Sequence, residues 1–134
     1  MVYIALHCFR RFSKAGEVNV LQHTLAKYAL ESCLLDIGLV NTPASLLAAA
    51  ALYLSLLLLE SVDTVWSPTL EHYTGHSAQE VRAVVPRMAS NVHKMKLNPK
   101  LQAIRVKFKS GKYLKVADIE ELKSDTLSLL ALPC

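Results

Sequence analysis

The sequence has little of what several classes of protein require. Its three cysteines, Cys8, Cys33 and Cys134, are odd in number and far apart, so a disulfide framework is not expected. This cysteine content fits better with the reducing interior of a cell. Only 19% of the 134 residues are charged and 52% are hydrophobic, which excludes a disordered tail. With four glycines and five prolines, most of the chain can adopt regular structure, and its abundant Leu, Ala, Lys and Glu favour helix.

Sequence motifs for catalysis and for nucleotide or metal binding are also missing. The chain has no GxGxxG, GxxxxGK[ST], HExxH or CxxC pattern. His72 and His76 are four residues apart, but Gly75 places a helix end between them and no third ligand is nearby, so we interpret them as surface histidines beside a cap. Cys33 lies on an apolar helix face, where cysteine usually serves as a small buried hydrophobe. We therefore expect no catalytic residue, no cofactor and no bound metal.

The residues from Pro43 to Leu59 predict a central helix. None of them is charged and apolar side chains lie on every side, which is typical of a helix that is buried all round. Thr42 and Pro43 supply a start signal. A membrane span is the rival interpretation, but seventeen residues at ~1.5 Å each reach about 26 Å, short of a ~30 Å hydrocarbon core. No Lys or Arg flanks the segment to orient it, so we favour the core helix.

Amphipathic segments on both sides predict helices that pack around this one. Ser77 and Glu80 form a capping-box pattern that opens one of them, and Pro86 predicts a kink or a later start in the same helix. The inward face of that helix is predicted to consist of Val81, Val84, Val85, Met88 and Val92. The expected helices cover residues 3–14, about 18–39, 68–74, 78–95, 97–109 and 118–130. The fold class is therefore all-α, as a single domain over residues 1–134.

The net charge of +4 is unevenly distributed. Residues 81–117 carry ten Lys/Arg and no acidic residue, whereas residues 1–80 and 118–134 are each mildly acidic. Three interpretations stay open for the basic segment: a solvated helix face, a docking surface for an acidic or phosphorylated protein, and a nucleic-acid contact. The candidate docking residues in this segment and in the first helix are Arg10, Arg11, Lys94, Lys96, Lys100, Arg105, Lys107 and Lys109.

The sequence contains five notable strings on its predicted helices: HCFRRFSKA from His7, HTLAKY from His23, PASLLAAA from Pro43, Trp66 followed by PTLEHYTG from Pro68, and KFKSGKYLKVA from Lys107. These strings resemble the second cyclin box of B-type cyclins, in the order in which that family has them. The resemblance covers roughly residues 3–120. Each string alone is a weak signal, but five in this order are hard to obtain by chance.

The resemblance implies a cyclin-like five-helix bundle around the buried central helix, with a short additional C-terminal helix. It also implies a non-enzymatic regulatory subunit of a cyclin-dependent protein kinase that acts at the G2/M transition, in the nucleus and cytoplasm, with no membrane partner. The chain has no counterpart of the family's first cyclin box or destruction signal, so we expect a fragment or a reduced gene product, and kinase-contact residues cannot be carried over.

Two further expectations concern partners. The alternative function is a cyclin-fold module that binds DNA or an acidic protein through residues 81–117, with nucleic acid the less favoured of the two ligands. The isolated domain is expected to form a homodimer, because the absent first box would leave Ile4, Phe9 and Phe12 of the first helix exposed.

Overall fold

Helices form the framework of the protein. The computed structural model describes residues 8, 10, 11, 14, 19–33, 36–39, 41–60, 66, 68–94 and 102–111. Besides the helical positions 8, 10, 11 and 14, these residues contain five α-helices and one 3-10 turn, Ile37–Leu39, and no strand. The helices are α1 Val20–Glu31, α2 Ala44–Glu60, α3 Pro68–Thr74, α4 Ala78–His93 and α5 Gln102–Phe108. The expectation of an all-α fold is confirmed.

Helix α2 is the core of the structure. Its residues 47–56 are all buried, and Ala48 to Ala51 have no exposed surface. Small alanine side chains allow neighbouring backbones to approach closely, and α1 and α4 both pack along α2 while α3 contacts it less. The predicted burial on every side is therefore confirmed, although the helix begins at Ala44 rather than at Pro43. Within the described positions, no helix combines the length and the apolar character needed to cross a membrane.

Helix α1 is shorter than its hydrophobic pattern predicted. It begins with an unpredicted capping box, in which Asn19 Oδ1 accepts from Gln22 N at 2.8 Å and Gln22 Oε1 accepts from Asn19 N at 2.9 Å. It ends at Glu31, not Leu39, so the predicted span of 18–39 is wrong. The hydroxyl of Ser32 donates to the carbonyl of Ala29, and such side-chain bonds to the backbone compete with helix continuation.

Helix α4 follows its sequence signals closely. Ser77 caps it, with Glu80 closing the predicted capping box, and all five residues of its predicted inward face are buried. Pro86 lies inside a helix that starts at Ala78, so of the two predicted alternatives, a kink or a later start, the later start does not occur. The cap and the burial of Val81 on the N-terminal side hold the first turns in place, and they offset the hydrogen bond that Pro86 cannot donate to the carbonyl of Arg82.

The remaining predictions concern shorter elements. Helix α3 ends before Gly75, whose φ of 74° is the left-handed value that glycine adopts most readily. Helix α5 is held by Phe108, which is fully buried and whose ring centroid lies 5.1 Å from that of Tyr28. In the predicted 3–14 helix, positions 8, 10, 11 and 14 are helical and the three cations among them are exposed. The predicted helix over 118–130 lies outside the described residues, as do residues 97–101 of the predicted 97–109 helix.

Candidate docking site

Two cationic side chains and a histidine from two helical segments form the candidate docking site, which we call the Arg10 cluster (Arg10, His23 and Lys27). His23 and Lys27 are four residues apart on α1, so they share one face of that helix, and both are half-buried. Arg10 is exposed in the N-terminal helical segment. Burial, and then the nearby charges of Lys27 and Arg10, lower the pKa of His23 below its ordinary value. The cluster therefore combines two cations with a histidine that favours its neutral form.

The rest of α1 fixes the position of this face. Its opposite side is buried against α2 through Leu25 and Tyr28, which are 1% and 2% exposed. The hydroxyl of Ser55 on α2, itself fully buried, donates to the main-chain carbonyl of Gln22, the residue before His23. This bond leaves α1 little freedom to rotate or slide on α2. His23 and Lys27 are thus presented on a rigid element rather than on a loop.

The chemistry of the Arg10 cluster suits an anion. A guanidinium presents a planar fork of donors that matches a carboxylate or a phosphate, and an ammonium adds a point charge. A neutral imidazole can donate from one ring nitrogen, and a protonated one from both. The arrangement can therefore bind oxyanions, but it contains no nucleophile.

The structure distributes the candidate docking residues unequally. Arg10 belongs to the cluster, Arg11 and Lys94 are exposed, Arg105 and Lys109 are half-buried, and Lys96 and Lys100 lie outside the described residues. Lys107 pairs with Glu31 at 3.1 Å and its Nζ lies 5.2 Å from the centroid of the Phe108 ring, so it joins α5 to α1. His23 and Lys27 were missed, although two basic residues four apart on a predicted helix could have indicated them.

Two more cations of the basic segment make bonds within the fold. Arg82 Nε donates to the hydroxyl of Tyr53 at 3.0 Å, which joins α4 to α2. Arg87 donates to the carboxylate of Asp36 from Nε at 2.8 Å and from Nη2 at 2.7 Å. Packing thus explains part of the positive charge of residues 81–117, because some of these cations stabilise contacts between helices.

Asp36 is the centre of a polar network between α4 and the turn that follows α1. Besides Arg87, it accepts from Asn91 Nδ2 at 2.7 Å and from the main-chain N–H of Gly38 at 2.8 Å. The hydrogen bonds from Arg87 are the main reason that the pKa of Asp36 falls to about 2. Burial raises the pKa of the neighbouring Cys33 thiol to about 11, so its reactive thiolate form is suppressed. The prediction of Cys33 as a buried hydrophobe is confirmed.

His76 differs from the surface histidine that the sequence predicted. His72 is exposed, but His76 is half-buried at the junction of α2 and α4. Its Nε2 lies 2.9 Å from Ser45 Oγ, its Nδ1 lies 3.3 Å from Glu80 Oε2, and its carbonyl accepts from Trp66 Nε1 at 3.0 Å. This order of hydroxyl, imidazole and carboxylate occurs in hydrolases. Here it is structural, because Glu80 also caps α4 and Ser45 lies in the first turn of α2. No group of three metal-ligating side chains occurs among the described residues.

Comparison with known proteins identifies relatives across nearly the whole chain. The family model "Cyclin, C-terminal domain" matches residues 3–122. The chain is 40% identical to G2/mitotic-specific cyclin-B of Patella vulgata, over 96% of the chain and 31% of the relative. It is 40% identical to the Hydra vulgaris protein of the same name, over 96% and 35%, and 44% identical to G2/mitotic-specific cyclin-B2 of Macaca fascicularis, over 97% and 32%. The chain therefore spans about a third of the length of the curated relatives that it matches.

Proposed function

We propose, from the premise that this chain belongs to the cyclin C-terminal domain family, that it is the C-terminal cyclin box of a B-type mitotic cyclin. In this role it is a regulatory and non-catalytic part of a cyclin-dependent protein kinase that acts at the G2/M transition. The observation that carries the proposal is 40–44% identity with G2/mitotic-specific cyclins across 96–97% of the chain. The all-helical fold around a buried α2 agrees with it.

The alternative of a DNA-binding cyclin-fold module has less support. The relatives described above are named as mitotic cyclins. In addition, Arg82, Arg87 and Lys107 of the basic segment make bonds within the fold. Cations that already bond within the protein displace few counterions when the protein binds DNA. We therefore expect the affinity for duplex DNA to be low.

A domain exchange tests the proposed kinase role. The matching third of the Patella vulgata cyclin-B is replaced by this chain, and the chimera is added to a cyclin-dependent kinase while peptide phosphorylation is measured. We expect stimulation comparable to that by the unaltered relative. The same chimera with Leu54→Asp, which places a charge at a buried position of α2, should fall to background, as should the isolated chain. A correctly folded chimera that does not stimulate the kinase would refute the proposed role.

A second proposed function rests on the Arg10 cluster. Arg10 is exposed, and Arg10 and Lys27 lie near enough to His23 to lower its pKa. We propose that this surface docks an acidic or phosphorylated segment of a partner protein. Fluorescence anisotropy with a labelled phosphoserine peptide, and with its unphosphorylated form, measures this. Arg10→Gln should weaken phosphopeptide binding at least fivefold. Arg11→Gln is the matched control, because Arg11 is the adjacent exposed arginine. Equal effects of the two substitutions would contradict docking at the cluster.

We also propose that the protein occurs in both nucleus and cytoplasm, as a regulator of entry into mitosis would. Imaging of a fluorescent fusion of the complete gene product through the cell cycle tests this. Confinement to one compartment at every stage would contradict it.

A further inference from the structure

We propose that Ser110 is a phosphorylation site for a serine kinase that selects basic sequences, and that its phosphate draws Lys107 away from Glu31 and loosens the attachment of α5 to α1. This modification is separate from the proposed docking function, because it involves neither Arg10 nor the residues grouped with it. A charge added at one end of α5 thereby weakens the contact between two helices.

Ser110 lies in an open turn directly after α5. The helix ends at Phe108, and the main-chain N–H of Ser110 donates to the carbonyl of Lys107 at 3.4 Å. Ser110 and Gly111 are both exposed. In the described part of the chain, apart from the sequence neighbours of Gly111, no atom lies within 4 Å of where a Cβ of that residue would be. The hydroxyl of Ser110 is therefore accessible to another protein without any opening of α5.

The sequence around Ser110 is basic on both sides. Ser110 is the only serine or threonine between residues 91 and 123. Four cations lie within five positions of it: Arg105, Lys107, Lys109 and Lys112. Kinases select substrates partly by such charge patterns, and a substrate groove lined by acidic residues attracts these cations and repels acidic sequences. The sequence therefore suits a serine kinase with an acidic substrate groove.

The modification transfers one phosphoryl group from ATP to the hydroxyl of Ser110. The Ser110 oxygen bonds to the γ-phosphorus, the bond from that phosphorus to the β–γ bridging oxygen breaks, and ADP leaves with the bridging oxygen. The proton of the hydroxyl passes to a base of the kinase. The product carries about −1.5 to −2 charge at pH 7 and three strong acceptor oxygens.

This new charge forms beside Lys107. The bond from the Ser110 N–H to the Lys107 carbonyl closes a turn of the i to i+3 type, in which the side chains of the two residues lie one above the other. The side chain of Lys107 is 40% exposed, so its ammonium can move towards the phosphate. A group with up to two negative charges attracts that ammonium more strongly than the single charge of Glu31 does. Phosphorylation therefore favours the exchange of one anion for the other at Lys107.

Glu31 has little to replace Lys107. Its Oε1 lies 3.1 Å from Lys107 Nζ, and its side chain is only 14% exposed. Its buried Oε2 accepts no hydrogen bond from the described residues. A carboxylate that loses its cation at such a site disfavours the docked position of α5. The phosphate acts in the same direction, because it places negative charge at the C-terminal end of α5.

The first experiment tests the site. The parent chain, Ser110→Ala and Thr69→Ala are incubated with Mg-ATP and a purified serine kinase that selects basic residues, and phosphate uptake is measured by mass spectrometry. We expect phosphate at Ser110 of the parent, and at least fivefold less uptake by Ser110→Ala. Thr69→Ala, which removes an exposed hydroxyl from α3, should match the parent. No uptake by the parent, or equal uptake by Ser110→Ala, would overturn the assignment of the site.

The second experiment tests the release of Lys107. Hydrogen exchange of the α5 main-chain amides should be at least threefold faster in the phosphorylated parent than in the unmodified chain. Glu31→Gln is the matched variant, because it removes the charge of Glu31 and leaves the sequence around Ser110 intact. Phosphorylation of Glu31→Gln should accelerate exchange much less. If exchange does not accelerate in the parent, or accelerates equally in Glu31→Gln, the release of Lys107 from Glu31 is refuted.

Discussion

Replacing Asp36 by Asn tests how strongly the turn after α1 is held to α4. The substitution keeps the shape of the side chain but removes the charge that accepts two hydrogen bonds from Arg87. Asn can still accept a bond from the main-chain N–H of Gly38, which Asp36 receives at 2.8 Å. The change therefore isolates the electrostatic part of the network.

The expected loss of stability follows from the pKa of Asp36. A fall from 3.8 to about 2 corresponds, at about 1.4 kcal/mol per unit, to about 2 kcal/mol of stability at neutral pH. The side chain of Asp36 is only 7% exposed, but that of Arg87 is 46% exposed, so solvent screens part of this interaction. We expect Asp36→Asn to lower the free energy of unfolding by about 1 to 2 kcal/mol.

Urea unfolding at a series of pH values measures this loss and its cause. Because the pKa of Asp36 is depressed in the folded state, its contribution is complete above the unfolded value of 3.8 and disappears as the pH falls through about 2. The difference between parent and Asp36→Asn should therefore be constant from pH 5 to 7 and shrink towards pH 2. Glu71→Gln, which removes an exposed carboxylate from α3, is the control and should change stability by less than about 0.5 kcal/mol.

Gly38 supplies an independent check on the same network. A methyl group at Gly38 would lie 2.6 Å from Arg87 Cζ, so Gly38→Ala should displace the guanidinium from Asp36. The loss should be smaller in an Arg87→Gln background, where that contact no longer exists. If Asp36→Asn matches the parent at pH 7, or if the difference persists unchanged to pH 2, the electrostatic account of this network is refuted.

Four further outcomes are expected. Leu54→Asp should leave the domain unfolded at 25 °C by circular dichroism, because an unpaired charge at a site 1% exposed costs several kcal/mol, and a cooperative melt near that of the parent would contradict the central role of α2. Phe108→Ala should cost about 3 to 5 kcal/mol in urea unfolding and Val106→Ala less than about 0.5, because Phe108 is fully buried and Val106 is 66% exposed; similar losses would mean that α5 does not dock through Phe108. His76→Ala should lower the melting temperature by an amount equivalent to about 1 kcal/mol and His72→Ala should not, because His76, unlike His72, joins α2 to α4; equal effects would contradict this junction. Light scattering of the isolated chain at tens of micromolar should give a mass above one protomer, and a clean monomer would contradict the predicted self-association.

The parts of the fold that were predictable from the sequence depend on local signals. The uncharged residues of α2 leave no polar side to face water, so its burial follows from composition alone. Ser77 and Glu80 satisfy each other's backbone groups, and that pairing is local enough to predict the start of α4. The end of α1 was predictable only in part. Ser32, which bonds back to Ala29, is a local signal, but Asp36 fixes the chain after α1 through bonds to Arg87 and Asn91, residues more than fifty positions away.

The docking site was less predictable from the sequence, because it depends on which cations form bonds within the folded domain. Counting charge directed attention to residues 81–117, yet Arg82, Arg87 and Lys107 bond to Tyr53, Asp36 and Glu31, contacts that form only after α4 and α5 have packed. Arg10 was identified, but His23 and Lys27 belong with it only because the fold brings Arg10 near enough to His23 to lower its pKa.

The Arg10 cluster differs from the basic segment in how its cations are used. In the basic segment, Arg82, Arg87 and Lys107 bond to Tyr53, Asp36 and Glu31, and these bonds account for their positions within the fold. At the Arg10 cluster, burial and the charges of Lys27 and Arg10 instead favour the neutral form of His23. Arg10 itself is exposed, so its guanidinium can reach a carboxylate or a phosphate of a ligand. This difference is the physical reason to seek a ligand at the Arg10 cluster before the longer basic segment.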